Sequence, residues 1–72
     1  MYVVIELQKQ SENTLASIVT KYDIENEAMS KFYAIMSAAA VSSVPVHSAV
    51  VLSEEGYPIK NDHYIHEEVN NG

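Results

Sequence analysis

Between Phe32 and Ser53 the chain carries no Asp, Glu, Lys or Arg, although ten acids and four lysines occupy the rest of its 72 residues. In so short a chain an uncharged stretch of that length has to be buried: in a core, at a subunit interface or in a bilayer. It is long enough to span a membrane. However, it holds Ser37, Ser42, Ser43, Ser48 and Ser53, together with His47 and Pro45 in its middle. No basic cluster flanks it to set an orientation. The membrane reading is therefore set aside, which leaves a core or an interface.

Periodicity divides the stretch in two. From about Asn26 the apolar positions recur with a helical period: Ala28, Phe32, Ile35 and Ala39 share a narrow arc with Met36 beside them, while Ser30, Tyr33 and Ser37 lie opposite. Asp23 or Asn26 can cap this helix, and Glu25 and Glu27 suit the positive end of its dipole. Val41, Ser42 and Ser43 are weak helix formers, and Pro45 disfavours helix at Val44, so the helix ends near Ala40. Residues 44–52 then read as a strand.

Three further strands surround this unit. Residues 2–8 are β-branched and lack a cap, and residues 15–22 alternate after a polar turn at 9–14. Residues 57–65 follow a loop in which Gly56 supplies a positive φ. Pro58 marks this last strand as an edge. The expected fold is α+β in the order β-β-α-β-β, a four-stranded antiparallel sheet with one helix packed on one face. Strand order 2-1-3-4 makes all neighbours antiparallel and carries the helix over the first strand as a right-handed crossover. Residues 1–66 form the single domain, and 67–72 read as a disordered C-terminal tail.

A domain this small buries only about 60% of its unfolded surface and usually needs a staple. There is no cysteine, so disulfides and thiolate metal sites are excluded and oligomerisation is the expected staple. One helix covers one sheet face, yet Val3-Val4-Ile5, Ile18-Val19 and Val50-Val51-Leu52 send apolar side chains to both faces. Tyr2, Val4, Val19, Ala49 and Val51 are the expected interface residues on the face away from the helix, since a contiguous apolar patch marks a protein contact. The expected partner is a second copy.

Other chemistry is poorly supported. The net charge is −6, with Lys9, Lys21, Lys31 and Lys60 as the only bases. Phosphate neutralisation is therefore weak, and neither nucleic acid nor an anionic membrane is an expected partner. His63 and His66 stand three apart on a strand and face opposite ways, which does not suit the converging ligands of zinc. His47 and Ser48 are adjacent and also face opposite ways, and no glycine elbow surrounds a serine. The two glycines make no phosphate loop. The five tyrosines suit half-buried positions at an interface or core edge. No cofactor and no catalytic residue is expected. The start of the chain lacks a basic region, and Glu6 interrupts its apolar run, so no secretory signal is read there.

The segments NEAxSKFY from Asn26, AAAVSSVPVHSAVVL from Ala38 to Leu52 and EEGYPIK from Glu54 to Lys60 resemble a group of small uncharacterised proteins encoded in phages and prophages of gut-type Firmicutes. The resemblance implies a setting, a phage-associated accessory or structural-region protein in a bacterial cytoplasm, and brings no activity with it. The expected function is a non-enzymatic homodimeric interaction protein. The alternatives are an inhibitor that binds a host protein through an acidic surface, and a small-ligand binder whose pocket forms at the oligomer interface with Tyr and His contacts.

Overall fold

The computed structural model describes residues 1–66. Strands β1 (Tyr2–Ser11) and β2 (Thr14–Tyr22) form a hairpin, helix α1 (Glu25–Ala40) follows, and β3 (Val46–Ser53) and β4 (Pro58–Ile65) form a second hairpin. The sheet order is β2-β1-β3-β4, with each neighbouring pair antiparallel. Fold class, element order and strand order agree with the sequence expectation. The expected disordered tail at 67–72 lies outside the described residues.

The first hairpin is longer than its hydrophobic pattern suggests. β1 continues through the polar residues Lys9, Gln10 and Ser11, and only Glu12 and Asn13 make the turn. A ladder partner satisfies the backbone of these residues whatever their side chains, so polarity alone does not end a strand. A register shift between Lys9 and Ser11 absorbs the irregularity. In the second hairpin, Gly56 N–H donates to Ser53 O at 2.8 Å, and Gly56 has φ +85°. That conformation suits glycine, which has no Cβ to oppose it.

The helix buries Ala28, Phe32, Ile35, Met36 and Ala39, the arc that its period singles out. Its N-cap is Ile24, with no side-chain cap, rather than the expected Asp23 or Asn26. β2 runs to Tyr22, and the chain turns at once into the helix, so the Ile24 carbonyl accepts from Glu27 N–H and Ala28 N–H at 3.1 and 3.2 Å. Glu25 and Glu27 in the first turn meet the dipole in place of a cap. Of the run Ala38-Ala39-Ala40 only Ala39 is buried; there the missing bulk lets the helix approach the sheet.

The core lies between α1 and the sheet. Val4 from β1 and Ala49 and Val51 from β3 are at most 2% exposed beneath the helix, with Tyr2, Tyr22, Met29 and Ile59 packed around the margin. This corrects the face assignment. Val4, Ala49 and Val51 belong to the core, Tyr2 sits at the core edge, and of the five expected interface residues Val19 alone lies on the uncovered face. Alternation told which residues share a face, but not which face the helix takes. The helix takes the side that carries Val4, Ala49 and Val51.

Candidate interaction surface

Strand register defines the uncovered face row by row. Partners in a ladder share a face. Across β2, β1 and β3 the rows are Lys21, Val3 and Leu52; Val19, Ile5 and Val50; Ser17, Leu7 and Ser48; and Leu15, Lys9 and Val46. β4 adds Asn61 opposite Val50, His63 opposite Ser48 and Ile65 opposite Val46. In β1 the uncovered positions Val3, Ile5 and Leu7 are more apolar than the helix-facing Tyr2, Val4, Glu6 and Gln8. The helix therefore covers the more polar side of the central strand and leaves the more apolar one open.

The charges follow the same division. Among the described residues no Asp or Glu occupies the uncovered face of the four strands. Lys9 and Lys21 stand in its two outermost rows and leave the central rows uncharged. Relief across the face is uneven. Leu15 and Val19 on β2 are 62% and 57% exposed. Toward β4 a shallow groove of about 380 Å³ opens beside Leu7, with Ser48, Val50, Asn61 and His63 along it.

Acids collect elsewhere. Asp23, Glu25 and Glu27 surround the start of α1, and Glu54 and Glu55 form the β3–β4 turn. Tyr22 and Ser53 both pair with Tyr2, so these two groups lie at the same end of the sheet. Met1 is within reach of both: its amine is 2.8 Å from Glu54 and is also influenced by Asp23 and Glu55.

A polar cluster beneath the helix joins Glu6, Gln8 and His47. Glu6 Oε2 accepts from Gln8 Nε2 at 2.9 Å and lies 2.7 Å from His47 Nε2. An ionised carboxylate only accepts, so Nε2 of His47 carries the proton. His47 is 4% exposed, and its Nδ1 has no hydrogen-bond partner among the described residues. Burial by itself raises the Glu6 carboxyl. The hydrogen bonds from His47 and Gln8, aided by the imidazole and by Lys31, outweigh it and hold the group below the ordinary carboxylate range.

The three histidines are dispersed. His47 lies under the helix and His63 on the uncovered face. His66 donates from Nε2 to the Ala39 carbonyl at 2.8 Å, at the C-terminal end of α1. Among the described residues no three His, Asp or Glu converge as metal ligands would. Because His47 faces the helix, it cannot line a pocket on the uncovered face, and the small-ligand reading loses that contact. Among the described residues no helix is long and apolar enough to cross a membrane.

Sequence reasoning missed Val3, Ile5, Leu7, Val50 and Leu52 as the uncovered apolar set. The signal was present in the apolar parity of the first strand. Compared with known protein families, curated proteins and solved structures, the chain matches none.

Proposed function

We propose that this protein is a non-enzymatic interaction module that self-associates through the uncovered face of its sheet, forming a homodimer. The observation that carries the reading is that the helix leaves open the more apolar side of β1, with no acid among the described residues of that face. The occupant is a second copy, and area supports that choice. Four strands about 4.8 Å apart, each about eight residues long at about 3.3 Å per residue, present on the order of 500 Å². Two such faces cover on the order of 1,000 Å², the minimum expected of a biological interface. The small core makes self-association the natural staple for a chain without cysteine. The phage or prophage setting, with the protein in the bacterial host cytoplasm, rests on the resemblance of the Asn26, Ala38–Leu52 and Glu54–Lys60 segments. Sedimentation velocity over a concentration series tests the reading: a dimer at tens of micromolar supports it, and a single-chain species throughout overturns it.

A second reading is favoured by the acids gathered at one end of the sheet. That end suits a basic host protein, as an inhibitor would use. Titration with a lysine-rich peptide at low salt would show binding that weakens with added salt and disappears in Asp23→Asn/Glu54→Gln/Glu55→Gln. Equal heats from the parent chain and this variant would overturn it.

A further inference from the structure

We infer that the free edge of β2 docks an extended peptide segment of another protein, which adds to the sheet as a further strand and lays alternate side chains in the groove between β2 and α1. The segment is apolar at alternate positions and carries Lys or Arg at the end beside Tyr22.

The sheet order leaves β2 and β4 as edges. Along an edge, alternate residues turn N–H and C=O outward without a ladder partner, and an added strand satisfies them. The two edges are guarded differently. β4 starts at Pro58, which has no N–H to donate, shifts register against β3 between Val51 and Leu52, and carries Lys60 and Asp62. Each of these features discourages pairing. β2 runs for nine residues without proline, with Lys21 near its end as its one charge. Its ladder with β1 is regular from Leu15 to Tyr22. A long edge with so little protection is open to another strand.

The side chains along this edge fit the same occupant. Ile18 pairs with Glu6 and so lies on the helix side, yet it is 50% exposed. Its neighbour Val19 points to the other side and is 57% exposed. A strand laid along β2 covers both. On the helix side a groove of about 360 Å³ is lined by Tyr22, Glu27, Ser30, Lys31 and Ala34. Ser30 and Ala34 are small, which keeps this flank of the helix low. An added strand sends every second side chain to this side, where the groove receives it. In strand addition, main-chain bonds supply affinity and such a groove supplies selectivity.

Charge sets the direction. Glu27 lines the groove, and Asp23 and Glu25 stand with it at the start of α1, just after Tyr22. The charge of Lys31 acts on Glu6 beneath the helix. β2 ends at Tyr22, so a segment running antiparallel to it begins there, and a cation at that end meets the acids. A second copy matches this less well: its β2, paired antiparallel about Ile18, brings Thr14 to Tyr22 and no cation. Association through the uncovered face leaves the edge and the groove open, so this site does not depend on the self-association reading.

The probe is the peptide acetyl-Lys-Thr-Val-Thr-Val-Thr-Val-amide, titrated into the isotope-labelled full chain and followed by amide chemical shifts. It should move the amides of β2 and of Glu27 to Ala34 and leave those of β4 in place. Two versions, one N-methylated at its valines and the other at its threonines, should differ: only one edge of the peptide faces β2, so one version loses binding and the other keeps it. Ala34→Arg fills the groove from an exposed helical position that tolerates arginine, and should weaken binding several-fold with an unchanged circular dichroism spectrum. Glu27→Gln should weaken binding of this peptide but not of a version with Thr in place of its Lys. Absence of shift changes up to about 1 mM peptide, shifts centred on β4, equal binding of the two methylated versions, or full binding by Ala34→Arg would each overturn the site. Alternate β2 amides should exchange rapidly with solvent before the peptide is added and slowly afterwards. Slow exchange along all of β2 beforehand would show that a second copy holds the edge, and would overturn it as well.

Discussion

Ile5 and Val50 stand directly opposite each other on the two central strands, on the side of the sheet that the helix does not cover. Their sequence neighbours Val4 and Val51 form the matching pair on the other side and are fully buried. One residue of offset thus separates the centre of the core from the centre of the proposed interface. Substitutions on the two sides should have different consequences.

Val4→Asp places an unpaired carboxylate in the core beneath the helix. The cost of burying such a group runs to several kcal/mol, a large share of the roughly 5 kcal/mol that a domain of this size holds. Loss of a cooperative thermal transition in circular dichroism is the expected outcome. Retention of a native-like melting temperature would mean that Val4 is not in the core.

Phe32 is the largest of the fully buried side chains. Phe32→Ala should destabilise the subunit by about 3–5 kcal/mol through lost transfer energy and the cavity left behind. Urea denaturation measures this, and a loss below about 1 kcal/mol would contradict the packing of α1 on the sheet.

Glu6→Leu removes the acceptor of the His47 imidazole and leaves a buried donor unpaired, at a cost of about 1–3 kcal/mol. His47→Leu should cost a similar amount. The double substitution removes both halves of the pair, and its cost should fall well below the sum of the two. Strict additivity in the denaturation midpoints would show that the two groups do not interact.

The depressed Glu6 carboxyl carries a sign for acid stability. Its folded value lies below the ordinary 4.5, so the unfolded chain binds the proton more readily. The stabilisation is fully present above 4.5 and is lost as pH falls through the lower folded value. Glu6→Gln should therefore flatten the acid limb of a stability–pH profile while leaving the limb above about pH 6 unchanged in shape. An unaltered acid limb would remove Glu6 from the balance.

Gly56 adopts φ +85°, and a Cβ placed there would meet nothing within 4 Å. The cost of Gly56→Ala is therefore conformational alone, about 1–2 kcal/mol. A larger loss in urea denaturation would require a contact that the turn does not contain.

Much of this architecture is legible in the amino-acid sequence. The helix face comes from Ala28, Phe32, Ile35 and Ala39, because a period of 3.6 is a local property that the sequence displays. Strand order follows from connection lengths and the preference for antiparallel neighbours. The choice of face is not legible in the same way. Alternation sorts Val3, Ile5 and Leu7 from Tyr2, Val4 and Glu6, but it is indifferent to which set the helix meets. The more apolar set invites assignment to the core, and the structure places it outside. The Glu6–His47 pair is equally hidden, because it depends on Gln8 and His47 standing opposite each other across β1 and β3, a register that neither segment specifies alone. The cap at Ile24 escapes because tight strand-to-helix geometry overrides the preference for a polar cap.

Self-association through the uncovered face is tested most directly by the solution mass of Ile5→Asp beside that of the parent chain, by light scattering at matched concentration. The parent should be a dimer and Ile5→Asp a monomer with an unchanged circular dichroism spectrum, because the new carboxylate sits in the contact and outside the core. Two species of equal mass, whether both dimers or both monomers, would contradict it.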